Sequence, residues 1–373
     1  MIVQFGTSRF LQAHVDLFAS EARDAGQAVP GIVVVQTTRD PARARRLAAF
    51  ADPAGFPVIV RGMEAGHPVE RTVQVRSVVG GMQAAIDWHA LTMIVRNAAT
   101  HIVSNTGDTG YDVAAADRIA GRADVAPASF PAMLVALLHA RWAAGRSGIT
   151  VLPCELVQRN ASVLRDVVTG LARTQGREAA FVAWLGETCL WADTLVDRIV
   201  SSPLDPAGAI AEPYALWAIR RVPGLALPFA HPAITLTDDL VPFERLKLYI
   251  LNLGHSWLAE RWRQAGGAAD ATVRQALADP GTRGALERVM RDEIVAGFAA
   301  HGMAAAAGAY VATTLERFAN PFLDHLIADI HVHHAAKVDK RVGGFVRWVD
   351  EAPGDPPAMP ELRALADRVM AAA

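Results

Sequence analysis

The first 35 residues constrain the fold more than any other stretch. Ile2-Val3-Gln4-Phe5 is a short apolar run that stops at Gly6, and residues 10–24 carry Phe10, Ala13, Leu17 and Phe18 at helical spacing. After Gly31 comes Ile32-Val33-Val34-Val35, a β-branched run with no alternation. Such a run suits a central strand covered on both faces in a parallel sheet. Strand, tight turn, helix and strand in so short a span make a βαβ unit. Strand-like segments at 58–60, 72–79, 102–105 and 149–152 then alternate with helical stretches at 41–50, 84–96 and 131–144. This alternation predicts an α/β fold with a Rossmann-type doubly wound N-terminal domain. From Pro242 onward the periodicity is almost wholly helical. We therefore expect a dinucleotide-binding domain with an extension over 1–240 and an all-helical substrate and catalytic domain over 241–373. Residues 203–236 read as the extension or as a connector.

The chain has 373 residues, comfortable for two domains. Its formal net charge of −2 gives no basic excess for nucleic acid or an anionic membrane. Cys154 and Cys189 are too few for a disulfide framework and fit a reducing compartment. The N-terminus lacks the basic and long apolar regions of a signal peptide, and charges or Pro/Gly interrupt every apolar stretch before membrane-spanning length. The expectation is a cytoplasmic protein, monomeric or dimeric, acting on a small molecule.

Gly6-Thr7-Ser8-Arg9-Phe10 lies where a nucleotide-binding turn belongs. Such a turn needs a residue free to bend, then a small one that lets backbone approach a pyrophosphate, with helix amides behind. Gly6 meets the first need; Ser8 is small but is not glycine. After the second strand, Thr38-Arg39-Asp40 offers Asp40 for ribose hydroxyls, or Arg39, backed by Arg43, Arg45 and Arg46, for a 2′-phosphate. A solvated basic helix is the plainer reading, and these residues leave the choice between NAD and NADP open. Further on, Pro242 opens a helix holding Lys247, Asn252 and His255. At about 100° per residue Asn252 lies roughly 140° and His255 roughly 80° from Lys247, compatible with one shared cleft. Apolar neighbours desolvate such a lysine and suit it to proton transfer; an amphipathic helix with a surface lysine and a satisfied core histidine is the plainer reading.

The Lys247, Asn252 and His255 spacing resembles the signature of the mannitol dehydrogenase family. Phe5-Gly6 with Phe10 and Ala13-His14, Ser104-Asn105-Thr106 with Gly110-Tyr111, Pro153-Cys154-Glu155-Leu156 with Asn160, Thr194 to Ile199, and Leu315 to Pro321 resemble further blocks of that family. Glu212 to Trp217, Leu236 to Leu240, and Asn320-Pro321-Phe322 with His325 and Lys337 resemble its sugar-acid branch. Ser8, Arg9, Gln12 and Ala161 depart from the usual family residues. The resemblance implies a nicotinamide-dependent oxidoreductase acting on a sugar acid, with a neutral polyol as the alternative. It implies Lys247 as the general acid/base, Asn160 and Asn252 holding the alkoxide, and His255, Lys337, Asp197 and His325 contacting substrate. Gly6, Thr7, Ser8, Arg9, Phe10, Thr38, Arg39, Asn105 and Thr106 would meet the cofactor. The family mechanism requires no metal. His331 and His334, at i, i+3, are the pair worth watching for one.

Overall fold

The structure, a computed structural model, describes residues 1–40, 44–107 and 109–372. Its strands are β1 (Ile2–Phe5), β2 (Ile32–Gln36), β3 (Phe56–Glu64), β4 (His67–Val75), β5 (Val78–Gln83), β6 (His101–Ser104), β7 (Thr150–Pro153), β8 (Leu190–Trp191), β9 (Thr194–Asp197), β10 (Val200–Pro203), β11 (Ala209–Ala211), β12 (Leu216–Arg220) and β13 (Ile234–Thr237). Two compact units form. The first holds Met1–Val60, Arg71–Ala211 and Ala215–Leu240; the second holds Arg61–Glu70, Glu212–Tyr214 and Val241–Ala373.

In the first unit a six-stranded sheet runs β5-β2-β1-β6-β7-β8, every pairing parallel. Its chain order reverses at β1, between β2 and β6, which opens a crevice at the strands' carboxyl ends. Phe5 pairs with Val35 on one side and Ser104 on the other, so β1 and β6 end level and β2 runs one residue further. Alternate residues of each strand feed different cores. Val3, Phe5, Val35, Ile102 and Val151 join a cluster with the helices Trp88–Asn97, Phe130–Ala143 and Asn160–Thr174. Ile2, Ile32, Val34, Val103 and Leu152 join another with Leu17, Phe18 and Trp217. Both faces are thus apolar, as the unbroken Ile32–Val35 run requires, and each such side chain contributes about 1.5–3 kcal/mol on burial.

Two boundaries differ from the sequence expectation for local reasons. The run 72–79 is not one strand. Backbone N–H groups of Arg76 and Ser77 donate to the Ser20 hydroxyl at 2.6 and 3.0 Å, and the Ser77 hydroxyl donates to the Asp16 carbonyl at 2.6 Å. These bonds divert the backbone from the ladder between β4 and β5. The helix expected from residue 84 begins at Trp88, because the Asp87 carboxylate accepts the Gln83 N–H at 2.8 Å and closes a turn first. Of the basic helix expected over 41–50, Ala44–Ala49 is helical, and residues 41–43 (with Arg43) lie outside the described residues. The segment 203–236 is partly strand: β11 joins β10-β11-β3-β4, and β12 and β13 join a three-stranded sheet with β9.

The second unit is helical around a core that includes Trp257, Met290, Phe298 and Phe345. Glu212 enters this unit to meet Arg317 in two hydrogen bonds of 2.8 and 3.0 Å, with side chains 2% and 3% exposed. Removing one partner of so buried a pair costs about 3–5 kcal/mol. The helix expected over 243–265 is not uniform: Val241–Leu246 is α-helical, Lys247–Asn252 π-helical, and Leu253–Gln264 α-helical again. Among the described residues no helix is long and apolar enough to cross a membrane.

Candidate active site

In the first unit the turn after β1 is built around close backbone approach. Gly6 has φ +116°, and a Cβ there would sit 2.4 Å from the Asn105 carbonyl oxygen. Asn105 returns its N–H to the Phe5 carbonyl at 2.9 Å and donates its side-chain amide to the Cys154 carbonyl at 2.8 Å. One asparagine therefore ties β1, β6 and β7 together. Ser8 donates to the Asn105 side-chain oxygen at 3.3 Å and accepts the Leu11 N–H at 3.3 Å, capping the helical stretch that starts at Arg9. Thr7 is buried, and its carbonyl accepts from Gln12 and Arg46.

Glu155, which the sequence reading quoted without giving it a role, organises the loop after β6. Its buried carboxylate accepts the Thr106 N–H, the Thr106 hydroxyl, the Ser104 hydroxyl and the Tyr111 phenol, all at 3.0–3.1 Å. Burial and this carboxylate push the Tyr111 phenol far above its usual pKa. Across from that loop, the Gln36 amide donates to the Thr38 and Asp40 carbonyls at 2.8 Å each and fixes the turn after β2. A crevice of about 670 Å³ opens here, lined by Thr37, Thr38 and Arg39 on one side and Thr106, Thr109 and Gly110 on the other. Hydroxyls, helix-start amides and a guanidinium at a topological switch point fit a dinucleotide, with Ser8, Arg9 and Phe10 at the helix end that favours phosphate.

Asn160 is fully buried at the head of the helix Asn160–Thr174. Its amide donates to the Pro153, Glu155 and Thr194 carbonyls at 3.1–3.2 Å, and its oxygen accepts the Ala161 and Thr194 N–H groups at 2.9 Å. Both ends of the side chain thus brace the first unit. Asp197, also buried, ends β9.

In the second unit the π-helical segment starts at half-buried Lys247 and ends at Asn252. The Leu253 N–H reaches back to the Leu248 carbonyl, the i→i+5 bond that widens the turn. His255 follows, 7% exposed, its ring 4.4 Å from Phe318 and 5.0 Å from His325. Burial, then the charges of His325, Arg341, Arg317 and Lys337, hold its pKa well below the ordinary value, so the imidazole is neutral at pH 7. Burial also lowers His325 and Lys337, with Arg341 adding to the effect on Lys337. The Lys337 ammonium donates to the Ile330 carbonyl at 2.8 Å. Arg341 donates to the Asn252 carbonyl at 3.2 Å and the Ser256 hydroxyl at 3.0 Å. The second unit therefore gathers Asn252, His255, His325, Lys337 and Arg341. Arg341 was missed in the sequence; its i, i+4 spacing from Lys337 was the signal.

His331 and His334 stack at 4.5 Å, but the left-handed backbone at His333 puts them on separate helices, and His334 bonds Glu260 at 3.1 Å. Among the described residues no group of three potential metal ligands forms.

The chain matches the mannitol dehydrogenase Rossmann domain over residues 1–226 and the mannitol dehydrogenase C-terminal domain over residues 239–366. It is 26% identical over 364 residues to an altronate oxidoreductase of Bacillus subtilis, which spans 91% of this chain and 73% of that protein. It is 29% identical over 371 residues to an altronate oxidoreductase of Klebsiella pneumoniae, again with 91% and 73% coverage. Among solved structures, a substrate-free D-sorbitol dehydrogenase shares the fold at a TM-score of 0.79 and 19% identity, covering 95% of this chain and 77% of that one. Mannitol 2-dehydrogenase of Pseudomonas fluorescens, solved with NAD and D-mannitol, does so at 0.68 and 16% identity, with 99% and 83% coverage. A parallel sheet with a dinucleotide crevice and a helical unit bearing Lys247, matched in order by both family domains, leave one assignment: the chain belongs to the mannitol dehydrogenase family, as an NAD(P)-dependent oxidoreductase acting on CH–OH groups of a polyol or sugar acid.

Proposed function

We propose that the chain interconverts a ketouronate and its aldonate, with tagaturonate and altronate as the representative pair, and that Lys247 carries the proton. The observation that carries the acid over the neutral polyol is the pairing of Lys337 with Arg341 next to His255. Two cations sharing one partly desolvated neighbourhood repel each other, and a substrate carboxylate relieves that repulsion. Similarity to altronate oxidoreductases supports the same choice.

A reduced nicotinamide held in the crevice by the turn after β1 and the wall of Thr37, Thr38 and Arg39 would supply the hydride for reduction. Lys247 donates its proton to the carbonyl oxygen and retrieves it in oxidation. The Asn252 amide donates to the developing alkoxide. Neutral His255 hydrogen-bonds a neighbouring hydroxyl and His325 packs beside it, which orients the sugar chain. Lys337 holds the carboxylate as a point charge. Asp197 contributes order to the substrate end of β9. For Asn160 to donate to the alkoxide as well, one of its three carbonyl bonds must be exchanged, so its principal contribution is to fix the turn after β7.

The test is reduction of tagaturonate, fructuronate and fructose by wild type and Lys337→Met. A KM for the uronate raised about tenfold or more, with any fructose turnover unaffected, supports the reading; that is the size of a charge-assisted contact. Turnover of fructose alone, indifferent to Lys337, assigns the chain to neutral polyols.

A further inference from the structure

We infer that the nucleotide crevice is built for a 2′-phosphorylated adenosine ribose, with Arg39 as its phosphate ligand, so that NADPH binds in preference to NADH. The inference rests on reading the first unit as the nucleotide half.

The ribose nearest the adenine sits at the carboxyl end of the second strand of such a sheet, where a carboxylate accepts both hydroxyls and repels a phosphate. Here the strand's last residue is not a carboxylate, and the first acid of the turn, Asp40, comes four residues later. β2 finishes in Gln36, and its amide is consumed by the Thr38 and Asp40 carbonyls. This bracing turns Thr37, Thr38 and Arg39 onto the crevice wall, and Asp40 is not among the residues of that wall. Among the described residues the wall's carboxylate is Asp112, which belongs to the loop after β6. Arg39 is exposed and makes no hydrogen bond or ion pair with another described residue. Its guanidinium is available for bidentate contact with a phosphate, flanked by two threonine hydroxyls of the kind that complete such a site. The turn is rigid at its base and carries its cation at its tip.

The experiment is calorimetric titration of the full chain, without substrate, with NADPH, NADH, 2′,5′-ADP and 5′-AMP. The expected result is a Kd for NADPH about tenfold or more below that for NADH, and the same order between 2′,5′-ADP and 5′-AMP, as a charge-assisted contact provides. Arg39→Gln should remove both preferences, and Arg39→Lys should keep part of them. Equal or tighter binding of NADH overturns the inference and leaves the enzyme reading intact. A preference that survives Arg39→Gln overturns the assignment to Arg39. Binding of none of the four overturns both readings.

Discussion

Lys247 and Asn252 bound one π-helical segment, so the two residues stand five apart on a widened turn. An α-helix would separate them by roughly 140° around its axis. The i→i+5 bonding turns them back toward one face, and such bulges recur where helices carry function. On the proposed role of Asn252 as alkoxide donor, Asn252→Ala should lower kcat about 10²–10³-fold, as loss of an oxyanion donor does. The KM should change far less. Steady-state kinetics with the preferred uronate checks this, and a variant that loses only substrate affinity would assign Asn252 to binding instead.

Asp16 gives a prediction about pH. It is fully buried on the first helix, its Oδ2 accepts the Gln4 amide at 3.3 Å, and its Oδ1 has no hydrogen-bond partner among the described residues. Desolvation pushes its pKa up to about 8, the Gln4 bond opposing. An acid whose pKa is raised by folding binds a proton in the native state that the unfolded chain has already released. Its contribution to stability is therefore full below about pH 4, declines as pH rises, and is gone above about pH 8. Asp16→Asn removes the ionisation. Its melting temperature should exceed that of wild type by about 3 °C or more at pH 8, with the gap closing toward pH 4. A gap that is constant with pH would show that Asp16 does not titrate in this range.

The Glu155 carboxylate makes four hydrogen bonds to Ser104, Thr106 and Tyr111, and so sets one wall of the nucleotide crevice. Glu155→Ala strands these donors and should cost about 1–3 kcal/mol of stability. Nucleotide Kd should rise by about tenfold, because Thr106 and Gly110 lose their anchor. Glu155→Gln should recover most of both effects, since an amide still accepts from Thr106 and the Ser104 and Tyr111 hydroxyls can reverse their roles. Unaltered nucleotide affinity in the alanine variant would separate this network from the crevice.

The parts legible in the sequence were those with a periodic or local signature. The unbroken Ile32–Val35 run announced a doubly covered strand, and Gly6 announced the turn whose φ of +116° only glycine takes easily. The π-helical segment was not legible, because its five-residue register looks like ordinary helical patterning at a single site, and the 100° reckoning across Lys247–Asn252 fails for that reason. Nor were Gln36 bracing the β2 turn, Glu155 binding across 44 to 51 residues, or Arg341 reaching Asn252 across 89. These are long-range or backbone-directed bonds, which spacing along the chain does not encode. The split at Val75/Val78 was hidden likewise, since it depends on Ser20, 57 residues away from Ser77.

The most direct test of the account is chemical rescue of Lys247. Wild type and Lys247→Ala are compared for NADPH- and NADH-dependent reduction of tagaturonate, with and without added primary amines, while nucleotide Kd is measured in parallel. The expected result is a kcat lowered by at least about a hundredfold with nucleotide binding unchanged, and a partial return of rate that grows with amine concentration, because a free ammonium replaces the missing proton donor. A Lys247→Ala enzyme that keeps kcat within about threefold of wild type would contradict the account, since a general acid is worth about 10²–10⁴ in rate.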